Sequence, residues 1–132
     1  MKGFVQNIEE VTEQNTDFRR VIYTGTQLQL VLMSLMPGEE IGAEVHEDRD
    51  QFFRVEAGSG KVSIDGADHH VKADDAIIIP AGAKHNVVNT GKESLKMYTL
   101  YAPPEHRDAL VQHAKPGPDE PEEHFDGKTT EA

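Results

Sequence analysis

Apolar positions in this chain fall in short runs that stop at turn-forming residues. Arg20–Thr24 ends at Gly25, and Leu28–Met36 ends at Pro37 and Gly38. Gln51–Glu56 stops before Gly58 and Gly60, and Lys61–Ile64 runs into Asp65-Gly66, a strong signal for a two-residue hairpin. Ala76–Ile79 stops at Pro80, Asn86–Asn89 at Thr90 and Gly91, and Leu95–Tyr101 ahead of Pro103 and Pro104. Close-spaced strands separated by turns predict an all-β antiparallel sandwich or barrel. Glu105–Ala114 lies between that double proline and Pro116-Gly117-Pro118, and is predicted as a short C-terminal helix. Phe4–Ile8 carries apolar positions that the other runs do not use, and is read as an N-terminal strand. The folded domain is therefore expected over residues 1–114.

From Lys115 the character changes. Asp119, Glu120, Glu122, Glu123, Asp126 and Glu131 are interspersed with Pro116, Pro118 and Pro121, and Phe125 alone is strongly apolar. So little apolar surface does not offset the entropy of ordering, which predicts disorder or loose docking for an acidic, flexible tail over 115–132. The whole chain of 132 residues is one domain in size, with a formal net charge of -11 and no Cys. That charge repels phosphate backbones and anionic bilayers, so neither nucleic acid nor membrane is an expected partner. The apolar runs are too short to span a bilayer, and the start of the chain has no signal-like apolar core. A cytoplasmic location is the expectation.

The candidate chemistry lies between the strands. Glu44 and His46 are two apart and, if extended, face the same way. Gln51 opens the following run and His85 follows the Pro80–Gly82 turn. Each side chain offers a metal-binding atom: carboxylate oxygen, imidazole nitrogen or amide oxygen. Singly, each is better read as a solvated or capping group. In sequence they stand as Gly38, five residues, Glu44-Val45-His46, four residues, Gln51, six residues, Gly58; then Pro80-Ala-Gly-Ala-Lys-His85-Asn-Val-Val-Asn89.

Those two segments resemble the two motifs of the cupin family. The resemblance implies a jelly-roll (double-stranded β-helix) barrel, usually a homodimer, with one divalent metal ion inside, bound here by Glu44, His46, Gln51 and His85. The sequence departs from the family pattern in three places: Glu44 replaces the first motif His, Gln51 the motif Glu, and Asp74 the Gly that opens the second motif. The first two replacements leave the charge of the shell unchanged. They make it richer in oxygen, which favours manganese, ferrous iron or zinc over copper. The shell is similar to that of mannose-6-phosphate isomerases, which hold zinc with Gln, His, Glu and His, but this chain has no comparable basic cluster for a sugar phosphate. Asp50 rivals Gln51 as a ligand; strand alternation and motif spacing favour Gln51.

Three functions follow. One is a metal-dependent enzyme acting on a small polar molecule, by sugar-isomerase-like or lyase chemistry or, alternatively, as a ferrous dioxygenase. A second is a non-catalytic module that holds a metal and a small-molecule ligand. The third is a structural barrel with no ion. No residue is singled out as a catalytic base. Tyr98 and Tyr101 are expected in the barrel wall, with one hydroxyl reaching the cavity as the alternative, His69 and His70 at a hairpin reversal, and His124 in the tail; His106 and His113 are expected on the surface of the terminal helix or, if that segment folds back, as caps on the barrel mouth. Arg54 and Lys84 are expected to point outward.

Overall fold

The computed structural model describes residues 1–131. Its elements are α1 (Ile8–Gln14), β1 (Arg19–Thr24), β2 (Gln29–Leu35), β3 (Glu44–Val45), β4 (Asp50–Ala57), β5 (Ser59–Ile64), β6 (Ala67–Lys72), β7 (Ala76–Ile79), β8 (Lys84–Val88), β9 (Leu95–Ala102) and β10 (Val111–Gln112). Two sheets form, ordered β10-β1-β2-β9-β4-β7 and β3-β8-β5-β6. Every pairing is antiparallel, and the arrangement is that of a jelly roll. Alternation along β9 and β4 buries Leu95, Met97, Tyr101, Phe53 and Val55 between the sheets, where they meet Val62, Val87, Ile77 and Ile79. Among the described residues, no helix is long and apolar enough to cross a membrane.

Turn chemistry sets the registers. Asp65 (φ 47°) and Gly66 (φ 85°) both take positive φ between the paired Ile64 and Ala67, as the hairpin signal requires. Asp74, where the family has Gly, has φ 76°, a conformation that Asp tolerates better than most residues. At Gly58 (φ 88°) an added Cβ would lie 2.5 Å from the carbonyl oxygen of Ser94. Only glycine lets β4 turn into β5 so close to β9.

Several expectations need correction. The stretch Phe4–Ile8 is not a strand. Helix α1 begins at Ile8, because the Asn7 side chain caps it by accepting from the Glu10 N–H (3.0 Å) and Glu9 and Glu10 fill its first turn. The helix expected over Glu105–Ala114 does not form. Residues 107–110 make a turn, with Ala109 at φ 64°, and β10 pairs with Arg19 and Arg20. The edge of β1 decides this. Its Val21 N–H donates to the Leu110 carbonyl at 2.9 Å, and a helix would leave that donor unpaired. His69 and His70 do not sit at a reversal. They lie within β6, opposite Val62 and Lys61, and are exposed.

Composition predicted disorder or loose docking for the segment after Lys115. In the structure it runs along the barrel. The Arg107 N–H donates to the Glu123 carbonyl (3.0 Å), and the Phe125 N–H to that of Glu105 (2.9 Å). The Thr130 N–H donates to the Thr24 carbonyl (2.9 Å), and Glu131 accepts from the Tyr23 hydroxyl and the Lys2 and Gly3 N–H groups.

Candidate metal centre

Strand pairing brings the four predicted residues together. Glu44 on β3 lies directly across from His85 on β8 in the smaller sheet. From the larger sheet, Gln51 on β4 faces in, paired with Tyr101 on β9 and Ile79 on β7. Gln51 is buried, whereas Asp50 is exposed and accepts from the Ala81 N–H at 2.9 Å. The register expected for β4 is therefore the one observed, and Asp50 acts on the turn that delivers His85 rather than in the site.

Donor atoms of Glu44, His46 and His85 all lie within 4.8 Å of one another. Ligand atoms of one tetrahedral zinc are about 3.4 Å apart, so side-chain rotations that close the group by about 1 Å would bring the three onto a shared ion. The His46 Nε2 lies 3.1 Å from Glu44 Oε2, and the His85 Nε2 3.1 Å from Gln51 Oε1. The outer nitrogens are held from behind. The His85 Nδ1 is 3.1 Å from the Ala83 carbonyl oxygen, which can only accept, so the proton of the neutral ring sits on Nδ1 and Nε2 presents its lone pair inward. The Gln51 amide nitrogen donates to Thr99 Oγ1 (3.0 Å), which aims its oxygen at that same lone pair. With the ring neutral and the amide in this orientation, two acceptors face each other, an arrangement that suits a cation; a protonated His85 or a flipped Gln51 amide would make the same contact a hydrogen bond.

His46 is held between two carboxylates, Glu44 on Nε2 and Glu105 on Nδ1 (3.3 Å). The hydrogen bond to Glu105, then that to Glu44, raise its pKa to about 9 against the effect of burial. Burial alone would raise Glu105. Its hydrogen bonds from His46 and Arg49, together with their charges, overcome this and hold it at about 2. Without a metal, a proton therefore occupies His46 between the two carboxylates. With an ion held by Glu44, His46, Gln51 and His85, Glu105 would hold Nδ1 and orient the ring.

Above the centre opens a cavity of about 470 Å³, lined by Glu44, His46, Arg19, Glu105, His106 and His124, with the 115–123 segment as its outer wall. His124 corrects the sequence reading, and His106 takes the alternative place, at the barrel mouth, rather than a helix surface. The His106 Nε2 is 3.3 Å from the Tyr101 hydroxyl, and burial, then the charge of Arg19, push its pKa down to about 3. His124 reaches back to within 3.5 Å of Glu105. Tyr101 is a buried wall residue whose hydroxyl reaches the interior, and burial raises its pKa. His113 pairs with Asp17 at the surface (2.6 Å), while Arg54 and Lys84 point outward as expected. Sequence reasoning missed Glu105 and Arg19. Arg19 was legible, because alternation along β1 places it on the same inward face as Val21. Glu105 was not, because its position depends on a chain reversal that has no local signal.

A fold of two facing antiparallel sheets, with inward Glu and His donors between them, defines a cupin, and the chain belongs to that family: the Cupin_2 cupin-domain family matches residues 31–101. Among individual proteins, it is 46% identical over 120 residues to the uncharacterized protein YrkC of Bacillus subtilis; the match spans 86% of this chain and 64% of YrkC. It is 38% identical over 118 residues to the uncharacterized protein L612 of Acanthamoeba polyphaga mimivirus, spanning 86% of this chain and 73% of L612. The crystal structure of BH2720 from Bacillus halodurans superposes with a TM-score of 0.85 at 47% identity, covering 86% of this chain and 91% of that one.

Proposed function

We propose that this protein is a metal-dependent cupin in which Glu44, His46, Gln51 and His85 hold one divalent ion that binds and transforms a small polar molecule entering through the 470 Å³ mouth. The observation that carries the reading is the convergence of His85 Nε2 and Gln51 Oε1, 3.1 Å apart, with the donor atoms of Glu44 and His46. Converging acceptors buried in an apolar barrel are costly without a cation. A flipped Gln51 amide would satisfy His85 with no ion, and metal titration separates the two arrangements.

A bound ion supplies Lewis acidity, polarising a hydroxyl or carbonyl oxygen of the substrate. The protein's own groups provide the rest. Tyr101, held neutral, sets its hydroxyl 3.3 Å from His106 Nε2, a residue of the cavity lining. Glu105 keeps the His46 ring turned so that Nε2 faces the site. The 115–123 wall narrows access of water. This supports isomerase-like or lyase chemistry on a hydroxylated carbonyl compound. A ferrous dioxygenase is a second reading, favoured by one observation: Glu44, His46 and His85 form a two-His, one-carboxylate set. Metal content decides between them. Zinc or manganese supports the first and iron the second. An absence of metal under all loading conditions would leave the structural barrel.

The homodimer implied by the family resemblance is part of the proposal. Because Phe4–Ile8 is not a strand, it no longer rests on strand addition by that segment. A monomer mass by light scattering at micromolar concentration would remove it.

A further inference from the structure

Arg19 is the group at the mouth that the metal centre does not use. Its neighbour Arg20 points to solvent and pairs with Asp17 (3.2 Å), but alternation turns Arg19 inward, where it is 7% exposed and lines the cavity. Its guanidinium donates from Nη1 to Gln112 Oε1 (2.5 Å) and lies 5.1 Å from the Phe18 ring centroid. Among the described residues its buried Nε has no hydrogen-bond partner, and no carboxylate comes within the 4.0 Å of an ion pair. The two acids at the inner end of this chamber are committed elsewhere, Glu44 to His46 and Glu105 to His46 and Arg49. Arg19 acts electrostatically on both His106 and Tyr101, so its charge reaches the groups that adjoin the metal residues.

A purely structural role accounts for the bond to Gln112, which pins β10 to β1. It does not account for a permanent cation at that position. A buried charge without a counter-charge is strongly unfavourable, and a neutral side chain would hold Gln112 without that cost. The guanidinium fork matches a carboxylate in shape and charge. A divalent ion would also outweigh the single carboxylate of Glu44 and leave the chamber positive. The three acidic residues of the outer wall do not cancel this: Glu120 is exposed to solvent, and Glu122 and Glu123 are paired with His124 and Arg107.

We propose that Arg19 is the anion anchor of the site, and that the ligand is a small carboxylic acid with an oxygen donor at the metal end and a carboxylate lodged on the Arg19 guanidinium. This rests on the metal reading above and names the substrate class for it.

The test uses the full-length protein loaded with Mn²⁺, with binding of the metal followed by electron paramagnetic resonance. Calorimetry then compares malate with its distal monoamide, in which that carboxylate alone is replaced by a neutral group of the same size. We expect malate to bind about tenfold or more tightly than the amide, the range for a hydrogen bond to a charged partner. Arg19→Gln should erase that preference while keeping Mn²⁺ binding, and Arg19→Lys should restore part of it. Equal binding of malate and amide to the unsubstituted protein would overturn the proposal without needing any variant that folds. So would a preference that survives Arg19→Gln. Failure of the unsubstituted protein to bind Mn²⁺, Zn²⁺ and Fe²⁺ alike would overturn the metal reading and this proposal with it; metal binding without a malate preference would overturn this one alone.

Discussion

His46 concentrates the electrostatics of the site in one side chain. Its pKa, raised from 6.5 to about 9, means that the folded metal-free chain holds a proton that the unfolded chain releases earlier. The stability it contributes is fully present below pH 6.5 and is lost as pH rises through 9. The melting temperature of metal-free protein should therefore fall across that window, and the fall should vanish in His46→Ala or with saturating metal. A flat profile in metal-free protein would contradict the pairing with Glu44 and Glu105. Metal must displace the same proton, so affinity should weaken as pH drops from 9. Glu105→Gln removes the carboxylate behind the ring and should weaken metal binding about tenfold or more, read by calorimetry. Gln51→Glu should be tolerated and tighten binding, because it adds a negative charge beside His85. At this scale the sequence was informative. Motif spacing and strand alternation placed Glu44, His46, Gln51 and His85, and chose Gln51 over Asp50. Carboxylates supplied from distant segments leave no such trace, which is why Glu105 escaped notice.

Strand ends and turns carry the energetic weight at the level of elements. Gly58→Ala would force a side chain into φ 88° and against the Ser94 carbonyl. The backbone conformation alone costs about 1–3 kcal/mol, and the clash adds to it, so urea unfolding should show a marked loss. Asp50→Ala should have a smaller, indirect effect. It frees the Ala81 N–H in the turn before His85, with an expected loss of about 1 kcal/mol of stability and little change in metal affinity. Gln51→Ala should do the reverse, because it deletes a donor. Central strands were readable because their apolar runs are long and end at glycine or proline. The errors fell at the periphery. Phe4–Ile8 and Glu105–Ala114 have weak patterns, and their fates are set by a cap at Asn7 and by the open edge of β1. β6 was missed because its Asp68-His69-His70 core is polar on both faces, as an exposed edge strand permits.

Over the whole molecule, the barrel core and the terminal segment are separable. The buried apolar cluster extends from Phe18 to Leu110, and among the described residues none beyond Leu110 belongs to it. Truncation after Gly117 should leave a folded barrel while removing the contacts of Glu123, Phe125, Thr130 and Glu131. A modest fall in melting temperature is expected by calorimetry, and loss of cooperative unfolding would show that the segment is integral to the fold. Composition alone could not reveal these contacts, since they are backbone hydrogen bonds that acidic, proline-broken sequence neither requires nor forbids. The account as a whole turns on whether an ion binds between the sheets. The most direct measurement is elemental analysis of tag-free protein, and of His85→Ala, after equilibration with zinc, manganese and ferrous iron in turn and removal of excess metal. It should give about one ion per chain for at least one metal in the unsubstituted protein and almost none in His85→Ala. An unsubstituted protein that retains no metal, or a His85→Ala variant that retains it in full, would contradict the account.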